Sequence, residues 1–151
     1  MNHMASILFI YGSTGGNTEL VVEKVADVLA SDGHKTTLQR AELSDPKKIK
    51  DYDFCVLASS TYAHGKLQYH MKAFAHKLSS LSLEGTSCAV IGLGDDKYDS
   101  YYHMEAAKIL EDLVKDLGGT LAIDALRITK SPVPELNGSI SKWAKRLAKK
   151  I

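Results

Sequence analysis

Seven consecutive residues, Gly12-Ser13-Thr14-Gly15-Gly16-Asn17-Thr18, bring together three glycines, three hydroxyls and a carboxamide directly after an apolar run. Glycines let a backbone curl around an anion with its N–H groups pointing inward, and hydroxyls add neutral donors. A helix beginning at the end of the stretch would add the positive potential of its N-terminus. The chemistry this suits is phosphate binding. The stretch lacks the Gly-Lys-Ser/Thr ending that a triphosphate and magnesium require, and lacks the G-x-G-x-x-G spacing of a dinucleotide loop. It also contains no cation. A phosphate monoester held by amides and hydroxyls is therefore the expected ligand.

The elements that must position this loop follow from hydrophobic periodicity. Short apolar runs alternate with amphipathic stretches, the pattern of parallel strands joined by crossover helices. Strands are expected at Ser6 to Tyr11, Lys35 to Gln39, Asp53 to Ser59, Ser87 to Gly92 and Leu121 to Arg127, the second of them polar enough for a sheet edge. Between them, Leu20, Val21, Val25, Val28 and Leu29 recur at helical spacing, and that helix should stop near Asp32 and Gly33. Asp45-Pro46 opens a short helical turn, and further helices are expected from about Leu67 to Leu78, His103 to Leu117 and Ile140 to Lys150. The reading is an α/β fold with an open, doubly wound, five-stranded parallel sheet and helices on both faces. Ligands bind beyond the carboxyl ends of such strands, so the loops after strands one, three and four are the functional ones.

Those other two loops carry chemistry as well. The third strand ends in Ser59-Ser60-Thr61-Tyr62 and the fourth in Gly92-Leu93-Gly94-Asp95-Asp96-Lys97-Tyr98. With Gly12 to Thr18 and the Glu19 that follows, these segments resemble the flavodoxin family, specifically its short-chain group, because the insertion that splits the last strand of long-chain members is absent. The resemblance spans nearly the whole chain. It implies a sheet order of 2-1-3-4-5, non-covalently bound FMN and low-potential electron transfer between a reductase donor and an electron-accepting enzyme. It implies that Ser13, Thr14, Gly15, Gly16, Asn17 and Thr18 hold the phosphate, and that a hydroxyl from Ser59, Ser60 or Thr61 supplements them. Tyr62 and Tyr98 would cover opposite faces of the isoalloxazine, and Leu93, Gly94 and Asp95 would wrap its pyrimidine edge, with Tyr101 just beyond. Asp95 would accept from the flavin N3–H or cap the turn, its backbone mattering more than its carboxylate. Ala63, His64 and Gly65 would pass the flavin N5 edge.

This chain departs from the family at two points. Ala63 stands where members commonly have a glycine whose peptide turns over as the flavin is reduced, and a non-glycine residue is penalised in left-handed conformations. His64, Lys66 and His70 stand where many members carry acidic residues, and no carboxylate occurs from Thr61 to Phe74. Such a rim changes the choice of redox partner, and His64 is expected to couple electrostatically to the reduced flavin.

Composition excludes several other classes. The 151 residues, 44% hydrophobic, suit a single domain spanning residues 1–151. Nineteen basic and 18 acidic residues leave a net charge of +1, which gives no global attraction to nucleic acid or lipid. With no signal-peptide pattern and no run of membrane-spanning length, a cytoplasmic monomer is expected. Cys55 and Cys88 lie in apolar runs without C-x-x-C spacing and are expected in the core, and the six histidines show no metal-ligand spacing and are expected mostly in solvent. Lys142, Lys145, Arg146, Lys149 and Lys150 suit the solvated C-terminal end of a helix, with Trp143 packing that helix onto the sheet. A receiver-type signalling module would need an aspartate at the end of strand three, where Ser59, Ser60 and Thr61 stand. An FMN-dependent reductase acting on a quinone, or using NAD(P)H directly, is the alternative that keeps fold and cofactor, but no second nucleotide fingerprint accompanies the first.

Overall fold

The computed structural model describes residues 4–62, 64–97, 102 and 104–151. Its central sheet contains β1 (Ser6–Gly12), β2 (Lys35–Arg40), β3 (Phe54–Tyr62), β5 (Ser87–Gly94) and, at the far side, β6 (Thr120–Leu121) and β7 (Leu126–Thr129). The order is β2-β1-β3-β5, with β6 and β7 both pairing with β5, and all these pairs are parallel. The polar second strand is an edge, as its composition requires. Four helices, α1 (Asn17–Ser31), α2 (Tyr69–Leu78), α3 (Glu105–Asp116) and α4 (Ser141–Ala148), cover the two faces.

The long strands are apolar throughout because both of their faces are covered. Ile7, Phe9 and Tyr11 of β1 face the layer built from α1 and α4, where Val21, Val25, Leu29, Trp143 and Leu147 are buried. Leu8 and Ile10 face the opposite layer, with Met71, Phe74 and Leu78 of α2 and Leu110 and Val114 of α3. Helix α1 ends at Asp32, and Gly33 takes the left-handed conformation (φ 97°) that closes such helices. The α4 lysines and Arg146 are exposed, while Trp143 is buried and its indole Nε1 donates to the Asp124 carbonyl at 2.9 Å.

Three features depart from the expected five strands. The last strand is broken between Leu121 and Leu126, because backbone groups there bond to helices in place of the sheet: Asp124 O to Trp143, and Ala125 N to Glu111 Oε2 at 3.4 Å. After β3 the chain doubles back as β4 (Lys66–Leu67), an antiparallel hairpin strand whose Leu67 pairs with Thr61. A wide turn over Leu136–Ile140, non-helical at Gly138, precedes α4. Helix boundaries otherwise differ from expectation by a residue or two.

Cys55 and Cys88 are register partners across β3 and β5 and are buried on one face. Hydrogen bonding with Cys88, then burial, pushes the Cys55 thiol well above its usual pKa. Thiolate is the reactive form, so the native protein is expected to show no reaction with a thiol reagent at pH 8, and two reactive thiols after denaturation. Titration with a chromogenic disulfide before and after guanidinium checks this. His34 is a histidine that is not in solvent: it is buried, and its Nδ1 accepts from Ala5 N at 3.0 Å, tying the start of β2 to the start of β1.

Candidate functional site

Strand register brings the three loops together. Gly12 of β1 pairs with Ser59 of β3, and Ser59 pairs with Gly92 of β5, so β1 ends at this row, β3 and β5 run two or three residues past it, and all three loops begin at the carboxyl edge of the sheet. The first then turns into α1. Gly16, at the N-cap, is left-handed (φ 92°), and no side chain caps the helix. Its first-turn N–H groups have no intrahelical acceptor and face the loop. Ser13 Oγ is used locally, accepting from Gly16 N at 3.1 Å, whereas Thr14, Gly15, Gly16 and Asn17 are exposed.

Thr18 differs from its neighbours. It is 1% exposed, and its Oγ1 finds no hydrogen-bond partner among the described residues. A buried unsatisfied hydroxyl costs about 1–3 kcal/mol, so its placement at an uncapped helix N-terminus calls for an acceptor supplied from outside the chain. The donors here are amides and hydroxyls, the set that suits a phosphate.

The loop is braced from two sides. Arg40, at the end of β2, donates from Nη2 to the Ser13 carbonyl at 2.6 Å, and it pairs with Glu19 of α1 at 3.2 Å and Glu42 at 3.0 Å. Its guanidinium also lies 5.6 Å from the Tyr11 ring centroid. Two carboxylates thus hold the Arg40 guanidinium beneath the loop. Burial and the Glu19 carboxylate keep the Tyr11 phenol above its usual pKa; burial raises that of Glu42, but its own N–H and Arg40 outweigh this and hold it low. On the other side, Gln68 Nε2 donates to Thr14 Oγ1 at 3.1 Å.

Strand alternation sorts the β3 hydroxyls. Ser59 is fully buried toward α2, donating to Ser60 O at 2.8 Å and accepting from Gln68 N at 3.1 Å. Thr61 Oγ1 accepts from Ala106 N at 3.2 Å, in the first turn of α3. Both therefore serve the scaffold. Ser60 and Tyr62 lie on the other face, and the Tyr62 phenol, 41% exposed, hydrogen-bonds Thr14 Oγ1. The hairpin tip has His64 (φ 62°) and Gly65 (φ 75°) left-handed. A side chain at Gly65 would meet Glu105 Cγ at 2.9 Å and Tyr102 Cβ at 3.0 Å, so glycine is required there for the tip to rest on α3. The left-handed conformations of this hairpin thus fall on His64 and Gly65, the two positions after Ala63.

In the third loop Leu93 is buried in the core and paired with Ser60 and Ile128 of the neighbouring strands, and Gly94 O accepts from Lys130 N at 2.8 Å. Asp95 Oδ1 accepts from Lys97 N at 2.9 Å, the turn-capping role. Ala63, Tyr98 and Tyr101 lie outside the described residues. Sequence reasoning missed Arg40 and Gln68. A polar residue at the start of the helix expected from about Leu67 was the available signal for Gln68, and an arginine following the expected edge strand, close to Glu42, was that for Arg40.

Among the described residues no group of three or more His, Cys, Asp or Glu is arranged to hold a metal ion, and no helix is long and apolar enough to cross a membrane. A groove of about 600 Å³ between α1 and α4, lined by Lys24, Asn137 and Lys145 among others, shares no residue with the three loops.

Fold and loops together define a doubly wound α/β protein with a loop suited to phosphate at its strand-order reversal. The flavodoxin family profile matches residues 9–143. A probable flavodoxin of Bacillus subtilis is 25% identical over 148 residues, covering 97% of each chain, and a flavodoxin of Nitratidesulfovibrio vulgaris is 29% identical, covering 95% of this chain and 97% of its own. The crystal structure of oxidised flavodoxin 2 from Bacillus cereus superposes with a TM-score of 0.89 at 30% identity, over 97% of this chain and all of that one. The chain belongs to the flavodoxin family. Its cofactor is accordingly FMN and its activity electron transfer.

Proposed function

We propose that this chain is a monomeric, cytoplasmic carrier, folded as one domain over residues 1–151, that takes electrons from a reductase and passes them to an acceptor enzyme without catalysing a reaction of its own. The observation that carries the cofactor assignment onto this chain's residues is the buried, unpartnered Thr18 hydroxyl at the uncapped start of α1. Thr14, Gly15, Gly16, Asn17 and Thr18 bind the FMN phosphate through N–H and O–H donors, with Ser13 shaping the turn. Ser60 adds a hydroxyl from the same face of β3. Tyr62 covers one side of the ring, and the Leu93 to Asp95 backbone meets its edge. Tyr98 and Tyr101 complete the enclosure in this reading, and Ala63, His64 and Gly65 border it from the hairpin.

When bound, the isoalloxazine supplies one-electron chemistry. The protein residues orient it, exclude water and set the relative free energies of its oxidation states, which is the protein's share of the work in any flavoprotein. An aromatic wall at Tyr62 disfavours added negative charge on the ring and so lowers its potential.

The purified protein is expected to be yellow and to release one FMN per chain on denaturation, with no FAD. Mixing it with NADPH alone is expected to leave the 450 nm region absorbance intact, whereas a catalytic amount of a flavodoxin reductase bleaches it. FAD in the extract, or a colourless protein that ignores added FMN, sinks the cofactor reading. Rapid bleaching by NADPH alone converts the carrier into a reductase.

A further inference from the structure

We infer that Gln68 is a positioning residue for the cofactor phosphate: its carboxamide, locked by the N-terminus of α2, commits the Thr14 hydroxyl proton to the cradle. Gln68 is 1% exposed and is the N-cap of α2. Its Oε1 accepts from His70 N at 2.9 Å and from Met71 N at 3.1 Å. Two backbone donors at one end of an amide settle which end is oxygen, so the end that reaches Thr14 Oγ1 at 3.1 Å is the NH₂ group.

A hydroxyl has one proton and two acceptor positions. Gln68 Nε2 fills one acceptor position of Thr14, and the Tyr62 phenol fills the other. The Thr14 proton is then directed away from both, on the exposed side of the loop. A second helix N-terminus, that of α2, acts through the amide on the same point, since hydrogen bonds in a chain polarise one another. Gly12 makes the approach possible. A Cβ at Gly12 would lie 2.2 Å from Gln68 Oε1 and 2.9 Å from Met71 Cβ. The backbone of Gln68 is fixed as well, its N–H lying 3.1 Å from Ser59 Oγ and 3.0 Å from Ser60 O.

The inference rests on the reading that Thr14 faces the phosphate, and the test separates the two. Apoprotein is titrated with FMN and with riboflavin by flavin fluorescence quenching, and the ratio of the two affinities is the readout. Gln68→Glu keeps an oxygen for the α2 N–H groups but replaces the donor toward Thr14 by an acceptor that captures its proton. Gln68→Asn keeps a good helix cap but withdraws the amide from Thr14 by one methylene. Both are expected to lower the FMN-to-riboflavin affinity ratio about tenfold or more, a charge-assisted hydrogen bond being at stake, and the ratio cancels any general loss of fold stability that both ligands feel alike. Thr14→Ala is expected to lower the ratio similarly. In the Thr14→Ala background, Gln68→Glu is expected to add almost nothing, because its path to the phosphate is gone.

An additive loss in the double variant means charge repulsion through space and overturns the inference. So does an unchanged ratio in both Gln68 variants while Thr14→Ala lowers it. An unchanged ratio in Thr14→Ala removes the phosphate from this hydroxyl, and both readings fall together.

Discussion

Gly92→Ala is expected to lower stability by about 3 kcal/mol, roughly 6–12 °C in melting temperature for a chain of this length, and to weaken flavin binding with it. The added Cβ would lie 2.6 Å from Ala107 Cβ, 2.8 Å from Ala107 N and 2.9 Å from its Cα. Two of these are backbone atoms of α3, so no rotamer change relieves them. Helix α3 must move off β5. That helix also supports the β3–β4 hairpin, through Ala106 N on Thr61 and through Glu105 beneath Gly65. Displacement therefore reaches Tyr62 and His64, which border the flavin in the proposed site. Adding Ala107→Gly removes the nearest atom but leaves the peptide nitrogen and Cα, so recovery will be partial. A thermal melt of apoprotein decides the matter: a Gly92→Ala chain that melts with its parent would mean that α3 does not rest on β5 at this distance.

The positions of the loops were legible in the sequence for a simple reason. Buried parallel strands are apolar on both faces, so SILFIY, DFCVLAS and SCAVIG stand out, and whatever polar residues follow them must lie at the carboxyl edge. Gly-rich composition then singled out the first of these loops as the candidate cradle. Less legible was the use of each hydroxyl, because a run such as Ser59-Ser60-Thr61 does not declare which members face the ligand. That depends on strand phase and on what packs behind. The structure gives Ser59 to Gln68 and Thr61 to α3, leaving Ser60 on the cradle side. Bracing from a distance was hidden for a related reason. Arg40 and Gln68 lie 27 and 54 residues from the loop residues they hold, and long-range pairing leaves no local periodicity. The broken last strand was likewise invisible, since its cause is the Trp143 indole and the Glu111 carboxylate of two helices.

Thr18→Val is expected to move the two forms of the protein in opposite directions. In the apoprotein the Thr18 hydroxyl is buried without a partner, and a methyl group of nearly the same shape removes that penalty. Valine and threonine have similar helix propensities, so the net change should be a gain of about 1 kcal/mol, roughly 2–4 °C in melting temperature. With FMN present, the parent hydroxyl donates to a charged phosphate, an interaction worth roughly 1.5–3 kcal/mol, and its loss lowers FMN affinity about 10- to 150-fold. Ligand stabilisation follows the logarithm of concentration over Kd, so at a fixed excess of FMN the variant loses that amount relative to its parent, more than the apoprotein gains. Riboflavin carries no phosphate, and its affinity should stay within about twofold. Melting curves of apoprotein and of FMN-saturated protein, with the two flavin titrations, supply all four quantities. A fall in apoprotein stability would show that the hydroxyl already has a partner within the fold. Equal losses for FMN and riboflavin would place it against the ring or ribityl chain, and the phosphate would then have to be held by the backbone amides of Thr14 to Asn17 with the Thr14 and Ser60 hydroxyls.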